Sequence, residues 1–165
     1  GNIGKQVARR AHGFDMRIFY HNRKPDPQAE AELGVTYATL PDLLRQSDFV
    51  TLNMPLTPET RGMIGREQLR LMKPSAILVN VARGGVLDHE ALTEALREHW
   101  IYAAALDVTE PEPLPRDHPL LKMDNLIIAP HLGSATRQTR QAMAQRAVDN
   151  LKAGLRGEPL ISRIA

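Results

Sequence analysis

Apolar residues fall into short, nearly continuous runs separated by amphipathic stretches. Runs at Met16–Tyr20, Val35–Tyr37, Phe49–Asn53, Ala76–Ala82, Ile101–Val108 and Leu126–Pro130 predict six β-strands. The middle and later runs are apolar at consecutive positions, as in parallel strands covered on both faces. Helical patterns lie between them. One covers Asn2–His12. A second covers Pro41–Gln46, preceded by Thr39 with Asp42 three residues on, which resembles a capping box. A third covers Asp88–His99, with Asp88 as N-cap and Ala91, Leu92, Ala95 and Leu96 on one face. A long final helix spans about 136–155 and stops near Gly154 or Gly157. The repeating βα order predicts an α/β fold with a mostly parallel sheet. Proline-rich stretches at 111–119 and 55–58 read as loops.

Composition narrows the function classes. A length of 165 residues suits one domain or slightly more, at roughly 100–200 residues per domain. Hydrophobic residues at 42% and charged residues at 24% are globular values, which argues against wholesale disorder. The chain has no cysteine, so disulfides, thiolate metal sites and cysteine nucleophiles are excluded. No apolar run approaches the ~20 residues of a membrane-spanning helix, so no membrane partner is expected. The net charge is +2, the basic residues are scattered and aromatics are 4%. A nucleic-acid stacking surface is therefore not expected. The six histidines show no ligand spacing, so no metal site is expected.

The first motif sits at the chain start. Gly1-Asn2-Ile3-Gly4 leads straight into the helix Lys5-Gln6-Val7-Ala8-Arg9-Arg10. This reads as the last four residues of G-x-G-x-x-G, with the first glycine and its strand expected before residue 1. In that motif the backbone approaches a pyrophosphate held at the helix N-terminus. An acidic residue about 20 residues on normally binds the ribose 2′-hydroxyl. Here the strand Met16–Tyr20 is followed by Asn22, Arg23 and Lys24. With no carboxylate and two cations, the turn favours NADP(H), with NAD(H) still possible. A merely solvated basic turn is the alternative.

Three strand ends carry the second set. In open α/β sheets ligands bind beyond the carboxyl ends of the strands. Val81 and Ala82 run into Arg83-Gly84-Gly85. The strand with Asp107 runs into Thr109-Glu110-Pro111-Glu112-Pro113. Pro130 runs into His131-Leu132-Gly133-Ser134. A cation, a carboxylate and an imidazole thus leave one sheet edge. Each has a plainer reading: Arg83 as a surface cap, Glu112 as an exposed loop residue, His131 as a packed structural histidine. Together they suit reduction of a 2-keto acid. Arginine holds a carboxylate bidentately, and histidine moves a proton at neutral pH beside a carboxylate that orients it. A reduced nicotinamide supplies hydride.

These stretches resemble the D-isomer-specific 2-hydroxyacid dehydrogenases. The resemblance rests on GNIG (1–4), NMPLTPETRGMI (53–64), LMKPSAILVNVARGGVLDHEAL (71–92), AAALDVTEPEPLP (103–115) and HPLLKMDNLIIAPHLGSAT (118–136). Within the family, DVTEPEPLP followed by HPLL, and GLRGEP at 154–159, are most similar to glyoxylate/hydroxypyruvate reductases. The resemblance implies that Arg83 binds the substrate carboxylate and keto oxygen, and that His131 is the proton donor. It makes Glu112 the partner of His131, with Glu110 a nearby decoy. Asp107 would face the nicotinamide amide. Pro55, Val81, Ala82 and Gly133 would line the cofactor, and Gly133 and Ser134 would lie near the substrate. Asn53 stands where many relatives have histidine.

The resemblance further implies a Rossmann-like doubly wound parallel sheet, its first strand missing, over residues 1–135. Residues 136–165 would form a helix and tail crossing to a missing substrate domain. The helix face Met143, Ala147, Leu151 and Leu155 would then lack a partner. Little turnover is expected from this chain alone, because no water-excluding cleft can close. A cytoplasmic homodimer is the implied whole protein. Phosphoglycerate and D-lactate dehydrogenases remain open alternatives, as does a nucleotide-sensing, corepressor-like module on the same fold.

Overall fold

The computed structural model describes residues 1–163; residues 164 and 165, the end of the expected tail, lie outside the described residues. The chain forms two compact units, Gly1–Pro130 and a second that starts at His131.

The first unit contains all six expected strands, each shorter than its apolar run. They are β1 (Phe19–Tyr20), β2 (Thr36–Tyr37), β3 (Phe49–Leu52), β4 (Ile77–Asn80), β5 (Ala103–Leu106) and β6 (Leu126–Ile128). The difference is physical. Ile101 and Val108 are buried but lie outside the β5 ladder. Strand bounds mark hydrogen-bond pairing, and the runs extend beyond it. Nor are the strands covered on both faces, as the runs suggested: positions along β3, β4 and β5 alternate buried with more exposed, and Ile127 in β6 is 72% exposed.

The strands form two parallel sheets, a pair β1-β2 and a four-stranded sheet ordered β3-β4-β5-β6. Register runs Phe49↔Ile77, Ile77↔Ala103 and Ala104↔Leu126. A doubly wound sheet of this class has the order 3-2-1-4-5-6. Here β2-β1 match positions 3-2 and β3-β4-β5 match 4-5-6, while no described strand takes position 1. Phe49, on the open edge of β3, is accordingly 57% exposed.

The helices of this unit are α1 (Asn2–Ala11), α2 (Pro27–Leu33), α3 (Leu40–Gln46), α4 (Arg66–Leu71) and α5 (His89–Arg97). One core joins the four-stranded sheet to α3, α4 and α5 through Leu44, Leu69, Leu78, Leu92 and Leu106. On α5 the expected face Ala91, Leu92, Ala95 and Leu96 is buried. The Asp88 carboxylate caps α5, accepting from the Glu90 and Ala91 amides at 3.0 Å. Thr39 caps α3 but makes no full capping box. Its hydroxyl accepts from the Asp42 amide and donates to the Asp42 carboxylate, so the Thr39 amide gains no partner from that side chain.

Helices α2 and α4 were not expected. Both are short, and their start signals are local. Asp26 accepts from the Ala29 amide ahead of Pro27. Gln68 accepts from the Gly65 amide across the first turn of α4. A smaller core of Ala29, Leu33 and Val35 covers the β1-β2 pair.

The second unit is built on α6 (Arg137–Leu155), whose N-cap Thr136 accepts from the Thr139 amide. The helix closes at Gly157 rather than Gly154. Gly157 has φ +70°, and the Glu158 amide returns to the Ala153 carbonyl at 2.9 Å. Met143, Leu151 and Leu155 on α6 are exposed. Among the described residues no helix is long and apolar enough to cross a membrane.

Candidate active site

The Arg83 turn is set by a buried amide. Asn80 closes β4 and is 0% exposed. Its Oδ1 accepts from the Ala82 amide, and its Nδ2 donates to the Arg83 carbonyl, both at 3.0 Å. The Asn80 carbonyl accepts from the Asp107 amide at 2.9 Å, tying the β4 and β5 ends together. A buried polar group needs such partners, and here its partners are the turn itself. Arg83 is exposed beyond that turn, with Nη1 donating to the Ala82 carbonyl at 2.7 Å. Sequence reasoning missed Asn80. The signal was a single amide ending an otherwise apolar strand.

The Glu112 turn packs directly on Gly84-Gly85. A Cβ on Gly84 would stand 2.1 Å from the Thr109 carbonyl carbon and oxygen. Only glycine allows that approach. Within the turn, the Thr109 amide donates to Glu112 Oε2 at 3.3 Å, and the Thr109 hydroxyl donates to the Pro111 carbonyl at 2.9 Å. Glu110 is engaged elsewhere, its carboxylate paired with Arg61 at 2.8 Å. The two glutamates of the motif thus face different partners. His89 Nδ1 lies 3.1 Å from the Glu110 carbonyl, and neither Arg61 nor His89 was singled out from sequence.

A cleft runs beside this turn, lined by Ile3, Asn53, Met54, Pro55, Leu56, Val81, Ala82 and Arg83. It brings together five expected residues: Ile3, Pro55, Val81, Ala82 and Arg83. At one side lies the start of α1, with Gly1 as N-cap and no capping side chain. The amides of Asn2, Ile3 and Gly4 have no helical carbonyl to meet, and the helix dipole favours an anion there. Gly4 lies against Asn53, where an added Cβ would stand 3.8 Å from the Asn53 Cβ. Asn53 Nδ2 donates to Thr51, while its Oδ1 is buried without a hydrogen-bond partner among the described residues. These features fit a nicotinamide dinucleotide. Helix amides suit a pyrophosphate, and Pro55, Leu56 and Val81 suit a flat, largely apolar ring.

Asn22, Arg23 and Lys24 follow β1 and are exposed. The Tyr37 hydroxyl donates to the Asn22 carbonyl at 3.4 Å. The Thr57 hydroxyl, the Glu59 amide and the charge of Arg23 hold the Glu59 carboxyl below its usual range.

In the second unit, His131 opens the chain segment with φ +55°. Histidine visits that left-handed region more readily than most non-glycine residues, and a residue held there is worth a functional hypothesis. Gly133 and Ser134 follow in a turn closed by the Ala135 amide on the Leu132 carbonyl at 2.9 Å, just ahead of Thr136.

Residues 1–133 match the family model described as D-isomer specific 2-hydroxyacid dehydrogenase, NAD binding domain. A protein named glyoxylate reductase from Korarchaeum cryptofilum is 55% identical over 158 residues, covering 96% of this chain and 48% of that protein. A solved NADPH-dependent glyoxylate/hydroxypyruvate reductase from Sinorhizobium meliloti, in complex with NADP and malonate, superposes with TM-score 0.92 at 36% identity. It covers 100% of this chain and 50% of that one. A D-lactate dehydrogenase with NAD+ from Lactobacillus jensenii gives TM-score 0.89 at 31% identity, covering 100% and 53%. The chain spans about half the length of the curated relatives it matches. The parallel sheets, the helix N-terminus on the cleft and the match over residues 1–133 place this chain in the D-isomer-specific 2-hydroxyacid dehydrogenase family.

Proposed function

We propose that the whole protein reduces a small 2-keto acid, glyoxylate or hydroxypyruvate, to the 2-hydroxy acid with NADPH. The observation that carries this reading is the cleft that runs from the α1 N-terminus to Arg83. The reduced nicotinamide, when bound, supplies hydride to C2 of the keto acid. Arg83 pairs with the substrate carboxylate and polarises the keto oxygen. The His131 imidazolium gives its proton to that oxygen as the alkoxide forms, leaving the neutral imidazole. Glu112 orients the imidazole and stabilises the imidazolium before donation. One hydride and one proton complete the reduction. Asp107 holds the nicotinamide amide, and Gly133 and Ser134 border the substrate. Relatives named glyoxylate reductase support this substrate class. Homodimerisation through the dinucleotide-binding domain belongs to the same proposal.

Steady-state oxidation of NADPH by the whole subunit, with glyoxylate and then hydroxypyruvate, tests the reading. Turnover of either acid supports it. Binding of NADPH without turnover of either would favour a nucleotide-sensing module. This chain by itself is expected to turn over slowly, since a closed, dry cleft strengthens each charge interaction in the site.

The cofactor preference has its own test. Arg23 and Lys24 present two cations where a 2′-phosphate would lie, and no acidic side chain occupies Asn22. Arg23→Ala is expected to weaken NADPH binding about tenfold, the worth of one charge-assisted hydrogen bond. NADH binding should stay within about twofold. Nicotinamide fluorescence titration of this chain with each cofactor reads both values. Equal affinity for the two cofactors in the unsubstituted chain would reject the NADP(H) preference and leave the dehydrogenase reading standing.

A further inference from the structure

The turn that carries Glu112 is held by three residues outside the chemistry proposed above. Gly84 receives its backbone, Arg61 pairs with the Glu110 carboxylate, and His89 meets the Glu110 carbonyl. The Arg61 side chain is 58% exposed, so its ion pair is weakened by solvent. His89 is 8% exposed and directional. A carbonyl oxygen only accepts, so Nδ1 carries the proton. Nε2 is then an unprotonated acceptor, and it is buried without a hydrogen-bond partner among the described residues. Burial holds the imidazole below its ordinary value, and the His118 ring, edge-on at 6.4 Å, acts in the same direction; Glu110 and Asp88 oppose it. The ring is therefore neutral and fixed in one tautomer. It is also the first residue of α5, whose buried face anchors it to the core.

We propose that His89 is a positioning residue. Through Nδ1–H on the Glu110 carbonyl it holds the Thr109–Pro113 turn where Glu112 can serve the reaction. This rests on the role given to Glu112 above. The plainer role for a buried histidine is to fill space, and two substitutions separate the roles. His89→Leu keeps volume and loses the donor. His89→Asn loses volume and keeps an N–H near the Nδ1 position.

The experiment measures kcat and KM of the whole subunit with NADPH and glyoxylate, for both variants and for Glu112→Gln. Amide exchange at Thr109, whose N–H donates to Glu112, is followed in this chain by NMR. His89→Leu is expected to lower kcat about five- to tenfold, the net effect of one hydrogen bond. KM for NADPH should stay within about twofold, and Thr109 exchange should accelerate by a similar five- to tenfold factor. His89→Asn should restore both within about threefold. If Leu matches the unsubstituted protein, or Asn is as impaired as Leu, His89 only fills space and the proposal falls. Glu112→Gln isolates the underlying assignment. Loss of most turnover upholds it. Retained turnover would overturn the role of Glu112, and the Thr109 exchange pattern would then decide whether His89 holds the turn.

Discussion

Arg83→Gln is expected to lower kcat/KM for glyoxylate by about 10²–10³-fold in the whole subunit, the usual loss when one donor to a developing oxyanion is removed. The cost has two parts. The amide cannot pair bidentately with the substrate carboxylate, and it carries no charge to polarise the keto oxygen. NADPH affinity should change by less than about twofold, because the pyrophosphate is expected at the α1 amides. Folding should be nearly unaffected. The Arg83 side chain is exposed and donates to the Ala82 carbonyl of its own turn, while Asn80 sets the turn independently. Substrate kinetics with a parallel cofactor titration checks all three statements. A loss below about tenfold would remove Arg83 from substrate binding.

Gly84→Ala is expected to destabilise the first unit by about 3 kcal/mol or more, the upper range for overpacking. The added Cβ would meet the Thr109 carbonyl at 2.1 Å and the Glu110 nitrogen at 2.6 Å, all backbone atoms. Backbone cannot swing aside, so the whole turn must move, and Glu112 with it. Gly85→Ala provides the contrast. Its nearest neighbour is the Glu110 carboxylate, at 1.9 Å from the added Cβ. That carboxylate can rotate away at the cost of its bond to Arg61. A pair exposed at 58% and 45% contributes no more than about 1 kcal/mol. Urea unfolding of both variants therefore ranks Gly84→Ala well below Gly85→Ala. Equal midpoints would show that the Gly84 seat yields easily.

The parts legible in the sequence share a cause. The strands of the larger sheet write themselves as apolar runs, so β3 to β6 and the order of elements could be read directly, although only one face of β3, β4 and β5 is fully buried. Arg83 and Glu112 were legible because each follows such a run at its carboxyl end. Asp88 was legible because a cap is local. Other features depend on partners distant in sequence. Arg61 meets Glu110 across 49 positions and His89 meets it across 21. No spacing rule joins those residues. Helix α4 was hidden because a six-residue helix shows too little periodicity. The division into two sheets was also hidden, since apolar runs leave pairing unspecified.

The role proposed for His131 rests on its place in the motif, and its backbone is left-handed. The chemistry of the whole account can be followed by isotope. With NADPH deuterated at the transferable C4 position and hydroxypyruvate as substrate, the whole subunit is predicted to yield D-glycerate carrying deuterium at C2. Mass spectrometry and chiral analysis of the product read label and configuration together. Oxidised NADP formed in equal amount, with label at C2 of the D-isomer, is the predicted result. Bound NADPH that stays reduced in the presence of hydroxypyruvate and glyoxylate would contradict the assignment as a 2-keto acid reductase.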